Sequence, residues 1–269
     1  MNKLREICQE KLSNPAQDIE VSNRMWNRRA KEVSRLSARA DGDGYFSFFK
    51  SSAGDLNGLS VLDSGCGAGR YLKLLLDAGA RAEGLDPSIE MVREAKAYVA
   101  ENGYVDAPVY HSSFQDFEPT KPYDYIFVSN CPIVDYYENY LKFLKIAKKG
   151  VFLGTWIERS DLFLETIAAD MGIAPRKRVS FDLVYLFNLF VADGYLPKFQ
   201  ATSRTIREDI APEDCVLRFS SWLFGEDSTP EDTDRLMKAM EKRLTPDGKV
   251  PAEMRGIRGM LYVDYSLKY

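Results

Sequence analysis

The sequence predicts an α/β protein built on a doubly wound, mostly parallel sheet, with helical insertions that form a cap. Three observations predict this class. Short apolar segments alternate with amphipathic helical segments between residues 59 and 156, a rhythm typical of parallel α/β sheets. The first apolar segment runs into a cluster of glycines. The composition, 45% hydrophobic and 28% charged over 269 residues, is that of a globular protein.

The alternating segments follow one another along the chain. Strands are predicted at 59–63, 80–86, 108–111, 123–129 and 151–156, and helices at 71–78, 88–101 and 134–149. Gly79 and Gly150 are placed as the residues that end two of these helices, because glycine readily adopts the left-handed conformation that closes a helix.

The rhythm changes after Trp156. Residues 160–195 are predicted to be helical, 198–206 and 259–268 to be strands, and 157–197 and 207–255 to be mainly helical insertions. Thr229 followed by Pro230 is a strong helix start, with a capping hydroxyl and a proline in the first turn. We therefore divide the chain into a helical entry segment at 1–54, a ligand-binding core at 55–156 and a C-terminal part at 157–269. That last part completes the sheet and caps the substrate.

Composition excludes several classes of protein. One His and four scattered Cys (Cys8, Cys66, Cys131 and Cys215) do not supply a zinc site or a disulfide framework. The first ten residues lack the apolar stretch of a signal peptide, and the apolar stretch at 183–192 is too short to span a bilayer. We expect a cytoplasmic protein without a metal and without a membrane partner.

Charge is unevenly distributed. The net charge is −4, which argues against a dedicated nucleic-acid binder. Residues 21–40 nevertheless hold six basic residues against Glu32 alone, a balance of +5 that leaves −9 for the remainder. This amphipathic segment either steers an anionic substrate or RNA or forms an ordinary solvated face, and the second interpretation is favoured.

A glycine loop between a strand and a helix carries the chemistry. Gly65, Gly67 and Gly69 let the backbone turn sharply and approach a ligand, and the following helix N-terminus offers unpaired N–H groups. A dinucleotide fingerprint requires its third glycine at position 70, where this chain has Arg70. Asp63, two residues before the loop, suits an ammonium group better than a pyrophosphate. The loop therefore indicates a ligand with an amino-acid end.

The second strand ends in Asp86, 21 residues after Gly65. An acid at this position suits the two hydroxyls of a ribose. Asp63 and Asp86 also have a plainer interpretation as acids that cap helix N-termini. With the glycines between them, the ligand interpretation is favoured.

Over roughly residues 55–156 the sequence resembles the class I S-adenosylmethionine-dependent methyltransferases. The resemblance is carried by the runs Asp63-Ser64-Gly65-Cys66-Gly67-Ala68-Gly69, Gly84-Leu85-Asp86-Pro87-Ser88, His111 to Phe117, and Tyr123 to Val128. It implies a seven-stranded, Rossmann-like sheet and S-adenosylmethionine as cofactor. Trp26-Asn27-Arg28-Arg29-Ala30 is similar to the entry helix that precedes many such domains.

The resemblance also assigns roles to residues. Asp63 would take the methionine ammonium, directly or through water, Asp86 the ribose, and Ser113 with Phe114 the adenine, while Asn130 would lie near the sulfonium. The full set of implied cofactor residues is Asp63, Gly65, Cys66, Gly67, Gly69, Asp86, Pro87, Ser113, Phe114 and Asn130. Many members of the family have Asp at the position of Ser113, so the adenine contact differs here.

The acceptor side is less defined. Tyr185, Asn188 and Trp222 are candidate substrate residues on helices of the C-terminal part, although a core or dimer-interface helix is the favoured interpretation of Tyr185 and Asn188. No catalytic residue is assigned, because methyl transfer is a direct displacement that needs alignment more than a base.

The favoured function is a methyltransferase acting on a small molecule. Two alternatives are kept: a methyltransferase acting on RNA or protein, with nucleic acid disfavoured by the overall acidity, and a non-catalytic regulatory protein that binds S-adenosylmethionine or S-adenosylhomocysteine. A nicotinamide dehydrogenase is disfavoured by Arg70 and Asp63. A homodimer remains open.

Overall fold

The computed structural model describes residues 2–12, 19–39, 44–174, 178–224 and 228–269. Within these ranges lie eight strands: β1 (Ser60–Ser64), β2 (Arg81–Asp86), β3 (Val109–His111), β4 (Tyr123–Ser129), β5 (Ala147–Asp161), β6 (Arg178–Val179), β7 (Lys198–Ile210) and β8 (Val250–Asp264). The helices are α1 (Asn2–Lys11), α2 (Ile19–Arg39), α3 (Tyr45–Ala53), α4 (Arg70–Asp77), α5 (Ile89–Glu101), α6 (Tyr137–Ile146), α7 (Leu162–Asp170), α8 (Asp182–Ala192), α9 (Pro212–Leu223) and α10 (Pro230–Glu241), with a 3₁₀ turn at Pro132–Asp135.

The strands form one mixed sheet in the order β3-β2-β1-β4-β5-β8-β7, with the two-residue β6 paired beside β5. The first five strands pair in parallel, whereas β8 is antiparallel to both β5 and β7. If β6 is set aside and the other seven strands are renumbered in chain order, the order of the sheet becomes 3-2-1-4-5-7-6. The predicted α/β class and doubly wound, mostly parallel sheet are confirmed.

Helices cover both faces of this sheet, because successive strand residues point to opposite sides. On one face α1, α6 and α8 pack on residues such as Leu62, Ile126 and Leu153. On the other face α3, α4 and α5 pack on residues such as Val61 and Phe127. Both faces of the central strands are therefore buried, as expected for a parallel sheet.

The helix predicted at 134–149 is shorter than expected. It ends at Ile146, and β5 begins at Ala147. Gly150 does not end a helix; it lies inside β5, where an added Cβ would lie 2.0 Å from the carbonyl oxygen of Val263. A glycine that permits close strand pairing looks the same in sequence as one that ends a helix, and this explains the wrong assignment.

The C-terminal part contains more strand than predicted. β5 continues to Asp161, β7 to Ile210, and β8 begins at Val250, so a long antiparallel ribbon occupies part of the supposed helical insertions. Pro251, Gly256 and Gly259 concealed this strand in the sequence. Gly256 is required there, because its Cβ would lie 2.1 Å from the carbonyl oxygen of Glu158.

Helices α7, α9 and α10 pack on the far end of this ribbon and form a third hydrophobic cluster. Asp161 joins its parts: one carboxylate oxygen caps α7 at the N–H of Leu164, and the other accepts a hydrogen bond from Arg218 of α9. The predicted start of α10 is confirmed, with Thr229 and Asp232 forming a reciprocal capping box.

Of the basic segment 21–40, residue 40 lies outside the described residues, and the rest falls largely within α2. Two of its cations form ion pairs with acidic side chains. Arg29 is buried against Glu32, with its Nε atom 2.9 Å from a Glu32 oxygen, and Arg35 pairs with Asp214 of α9. No helix in the described ranges is both long and apolar enough to cross a membrane.

Candidate cofactor and acceptor site

A cavity of about 300 Å³ opens at the carboxyl ends of β1, β2 and β4. This is the edge of a parallel sheet where ligands bind in such folds. The strand ends and their loops form one wall, which we call the strand-end wall: residues 64–68, 70–71, 85–87, 112–115 and 129–133. Opposite it lies a cover made of α2, through Ser22, Asn23, Trp26 and Val33, together with Arg258 of β8.

The glycines of the loop after β1 have different structural roles. Gly65, Gly67 and Gly69 all have positive φ, at 76°, 52° and 86°. At Gly65 a Cβ would meet the Sγ atom of Cys131 at 2.5 Å, and at Gly69 it would meet the Cα atom of Ala95 at 3.0 Å. Gly65 and Gly67 line the cavity, whereas Gly69 lies outside it and lets α4 pack closely on α5.

Asp63 is fully buried just behind the loop and does not line the cavity. Among the described residues neither of its carboxylate oxygens has a hydrogen-bond partner. Burial and, to a lesser extent, the nearby Asp86 raise the pKa of Asp63 to about 8, while the backbone of Leu72 acts in the opposite direction. The neighbouring Ser64 lines the cavity and also has a buried Oγ atom without a partner in the described part of the chain.

Asp86 lies at the end of β2 and faces the cavity. Its two carboxylate oxygens each accept one backbone N–H, from Gly67 and from Ser88, both at 2.9 Å. Burial raises its pKa to about 6, although these two N–H groups and His111 act in the opposite direction. Each carboxylate oxygen keeps a further lone pair for a ligand hydroxyl. The arrangement therefore suits a ribose.

Ser113 and Phe114 form the next part of the strand-end wall. The Ser113 hydroxyl is already occupied, since it donates to Asp116 at 2.6 Å and accepts the Asp116 N–H at 3.1 Å. Phe114 is buried and packs on Phe143, with ring centroids 5.1 Å apart. Together with Pro87, Phe114 gives this part of the cavity an apolar surface.

Asn130 lies at the end of β4 and lines the cavity. Its φ of 48° is the one positive value outside glycine in the described residues, an uncommon conformation that often marks a functional position. Two hydrogen bonds hold it there: its N–H donates to Gly154 at 2.7 Å, and the Tyr45 hydroxyl donates to its Oδ1 atom at 3.2 Å.

Two cysteines lie beside this loop, and neither is activated. Burial raises the pKa of Cys131 to about 12 and that of Cys66 well above its ordinary value. Both line the cavity as neutral thiols.

The cover is attached to the strand-end wall by Asn27. Its Oδ1 atom accepts hydrogen bonds from the Ser88 hydroxyl at 2.7 Å and the Glu90 N–H at 3.2 Å, which fixes α2 against α5. Asn23 lines the cavity, and its Oδ1 atom is buried without a partner in the described ranges. The sequence of this helix is similar to an entry helix, but none of its residues was predicted to belong to the site.

The candidate substrate residues do not reach the cavity. Asn188 donates to the Val184 carbonyl oxygen of its own helix at 2.7 Å, and Tyr185 packs on the sheet core. Trp222 packs in the third hydrophobic cluster, beneath the guanidinium of Arg159. The simpler core-helix interpretation of α8 agrees with this packing. The cavity residues that were not predicted include Ser64, Asn23, Trp26 and Arg258. Ser64 lies within the glycine-loop motif and Trp26 within the entry-helix motif, whereas Arg258 lies near no motif.

Among the residues that the structure describes, several polar atoms at the cavity lack partners of the kind that S-adenosylmethionine offers. Buried polar atoms without partners surround it at Ser64 and Asn23, the pair of oxygens at Asp63 lies immediately behind it, and a Cβ at Gly65 would collide with Cys131. Such orphaned buried groups are costly unless a ligand or water satisfies them. Donors and acceptors of an amino-acid end and a ribose would meet these needs, so the residues fit the cofactor.

Comparison with known proteins agrees with this geometry. Residues 61–149 match the family described as "Methyltransferase domain". No curated protein matches the sequence of the chain. Among solved structures, a candidate methyltransferase from Bacillus halodurans C-125 has a TM-score of 0.53 at 14% identity, covering 82% of this chain and 99% of its own. The YjhP protein of E. coli has a TM-score of 0.51 at 15% identity, covering 90% and 100%.

These likenesses in structure concern the fold, and the family match covers about a third of the chain. The strand order and the helices on both faces of the sheet define an α/β protein with the Rossmann-like fold of methyltransferases. More particularly, residues 61–149 match a methyltransferase domain, and this part of the chain holds the glycine loop and Asp86.

Proposed function

We propose that this methyltransferase acts on a small molecule that binds inside the cavity. The observation that carries the proposal is the enclosure of the site: α2 lies across the strand ends, and Asn27 fastens it to α5. A cavity of about 300 Å³ with a largely apolar lining lies within the range of small-molecule sites. A folded protein or an RNA helix would have to displace α2 to bring its reacting atom in.

The strand-end wall supplies the residues that would hold the cofactor. The Asp86 carboxylate would accept the ribose hydroxyls, and Pro87 with Phe114 would flank the adenine. The backbone of Gly65 and Gly67 and the Ser64 hydroxyl would cradle the methionine end, with Asp63 behind them acting through water.

When bound, S-adenosylmethionine supplies an electrophilic methyl group. The part of the protein is to align the acceptor with that methyl group and to exclude water. Asn130, held by Gly154 and Tyr45, would position groups at the reacting end, and Trp26 would close the cavity from α2. The described lining residues include no histidine, and His111 is exposed with its Nε2 atom 3.0 Å from the Pro87 carbonyl oxygen.

The alternative of an RNA acceptor is less well supported. It rested on the basic balance of the segment 21–40, but Arg29 is buried in its pair with Glu32, and Arg35 pairs with Asp214. The remaining positive charge is smaller than the sequence count indicates. Phosphate binding of useful strength needs several free cations along one face.

Calorimetry tests the cofactor assignment. The purified chain should bind S-adenosylhomocysteine and give no heat with NADH. Asp86→Ala should weaken S-adenosylhomocysteine binding by about tenfold to a hundredfold, since two charge-assisted contacts are lost. Asp106→Ala, on an exposed loop, is the matched control and should bind as the unaltered chain does. Equal affinity in Asp86→Ala would contradict the ribose assignment.

Fractionation of a cell extract tests the acceptor class. Formation of S-adenosylhomocysteine should be stimulated by the low-molecular-weight filtrate and not by the retained protein or RNA. Stimulation by the RNA fraction that falls steeply with salt would support the RNA alternative instead. No turnover with any fraction, despite cofactor binding, would support the non-catalytic alternative.

A further inference from the structure

Arg258 is a cation on the cover side of the cavity that the cofactor assignment does not use. It lies on β8 and pairs in register with Trp156 of β5, two residues beyond Gly154. The Gly154 carbonyl oxygen holds the N–H of Asn130 at the end of β4. Arg258 therefore lies beside the end of the cavity that Asn130 occupies, away from the ribose side at Asp86.

No acidic side chain in the described ranges pairs with Arg258. Its Nε atom is removed from solvent without a hydrogen-bond partner there. Arg258 is half-buried, and two buried arginines elsewhere in the chain differ from it in this respect. Arg29 pairs with Glu32 at 2.9 Å and Arg218 with Asp161 at 3.0 Å. An uncompensated guanidinium in a cavity is costly, and an incoming anion would remove that cost.

Two aromatic rings hold the guanidinium in place. Its central carbon lies 4.6 Å from the ring centroid of Trp156 and 5.3 Å from that of Tyr45. Such contacts stabilise a cation through its flat face and leave the N–H edges for hydrogen bonds. Tyr45 also donates to Asn130, so the position of Arg258 is linked to the reacting end of the site.

We propose that Arg258 binds a carboxylate on the methyl acceptor. The inference rests on the proposed function and adds the substrate class: a small acid with an apolar body. A planar carboxylate matches the two parallel N–H groups of a guanidinium. The apolar part of the cavity lining, which includes Val33 and Ile133, would take the rest of the molecule.

A competing role must be distinguished in the same experiment. S-adenosylmethionine has a carboxylate of its own, and Arg258 would serve that group if the cofactor reached across the cavity. S-adenosylhomocysteine retains that carboxylate, so its affinity for an Arg258 variant separates the two roles.

The experiment uses the chain saturated with S-adenosylhomocysteine and measures the binding of benzoate, benzamide and phenyl phosphate by calorimetry. Benzoate should bind at least about tenfold more tightly than benzamide, in line with the strength of charge-assisted hydrogen bonds. Arg258→Gln should abolish this preference while changing the affinity for S-adenosylhomocysteine less than about threefold. Arg159→Gln is the matched control, since Arg159 also contacts the Trp156 ring, at 5.8 Å, but lies outside the cavity lining.

Several results would overturn the proposal. They are the absence of a benzoate preference in the unaltered chain, its persistence in Arg258→Gln, or tighter binding of phenyl phosphate than of benzoate. A parallel loss of S-adenosylhomocysteine affinity in Arg258→Gln would assign Arg258 to the cofactor. The comparison of ligands in the unaltered chain decides the proposal even if the variant does not fold. If S-adenosylhomocysteine itself does not bind, the proposed function fails first.

Discussion

The strand-end wall and the cover enclose the same cavity but are built on different principles. In the strand-end wall the backbone is decisive: Gly65 and Gly67 take left-handed conformations, and the N–H groups of Gly67 and Ser88 orient Asp86. In the cover the side chains are decisive, with Asn27 fixing α2 and the rings of Tyr45 and Trp156 holding Arg258. Backbone requirements leave a sequence motif, whereas side-chain contacts between distant elements leave none.

The C-terminal part supports the cover from behind. Its helix α9 packs against α2, where Asp214 pairs with Arg35, and Arg218 of the same helix is tied to Asp161 at the end of β5. Its helices thus contribute to the site through α2 and not by lining the cavity themselves. Changes in the strand-end wall should alter cofactor affinity, and changes behind the cover should alter stability first.

The largest expected effect is on stability, from Arg218→Ala. This change leaves Asp161, whose side chain is 2% exposed, as a buried carboxylate without its cation, at a cost of roughly 3–5 kcal/mol. Denaturant unfolding measures it. Arg243→Ala breaks the exposed pair with Asp170 and should cost much less stability, because solvent screens an exposed ion pair. Equal losses in the two variants would show that α9 is not anchored through Asp161.

Gly65→Ala should cause the next largest effect, on cofactor affinity. The added Cβ meets Cys131 at 2.5 Å in a backbone conformation that alanine disfavours, so the loop must move. We expect S-adenosylhomocysteine binding to weaken about a hundredfold in calorimetry, or roughly 2.7 kcal/mol. Gly103 also has positive φ but has open space around it. Gly103→Ala should keep full affinity, and an equal loss there would refute the steric explanation.

A comparison of Trp26→Ala with Trp222→Ala distinguishes the cover from the third hydrophobic cluster behind it. Removal of this ring opens the cavity, and we expect the affinity for S-adenosylhomocysteine to fall about tenfold. Trp222→Ala should leave that affinity unchanged and lower the melting temperature, because Trp222 packs in the third hydrophobic cluster. If Trp222→Ala instead weakened ligand binding while Trp26→Ala did not, the original assignment of Trp222 to the substrate site would stand.

The smallest effect concerns pH. The pKa of Asp63 is about 8, raised by burial, whereas an unfolded chain has an aspartate pKa of about 4. The folded protein then binds more protons than the unfolded chain between these values, so stability falls as pH rises through this window. Burial and the neighbouring Asp182 also raise the pKa of Asp135. The melting temperature of the ligand-free chain should fall from pH 6.5 to 8.5.

Asp63→Asn should make this fall shallower and leave the share that belongs to Asp135. Asp86, with a pKa of about 6, contributes mainly below this range. A decline as steep in Asp63→Asn as in the unaltered chain would show that Asp63 is ionised in the fold and has a partner.

The sequence predicted the features that depend on local backbone requirements and missed those that depend on contacts between distant elements. The parallel strands, the glycine loop and Asp86 were predictable, since glycines and acids at strand ends satisfy local backbone requirements. The extent of β5 and β8 was not, because Gly150 and Gly256 meet needs set by partner strands. Arg258 had no signal at all, as its neighbours Tyr45 and Trp156 are distant in sequence. The division into segments 1–54, 55–156 and 157–269 and the homodimer remain predictions.

A crystal structure of the chain with S-adenosylhomocysteine tests the central claim most directly. The account predicts the ligand beneath α2, with its ribose hydroxyls on Asp86, its adenine beside Phe114 and its sulfur near Asn130. A ligand bound elsewhere, or one bound in this cavity with the ribose away from Asp86, would contradict it.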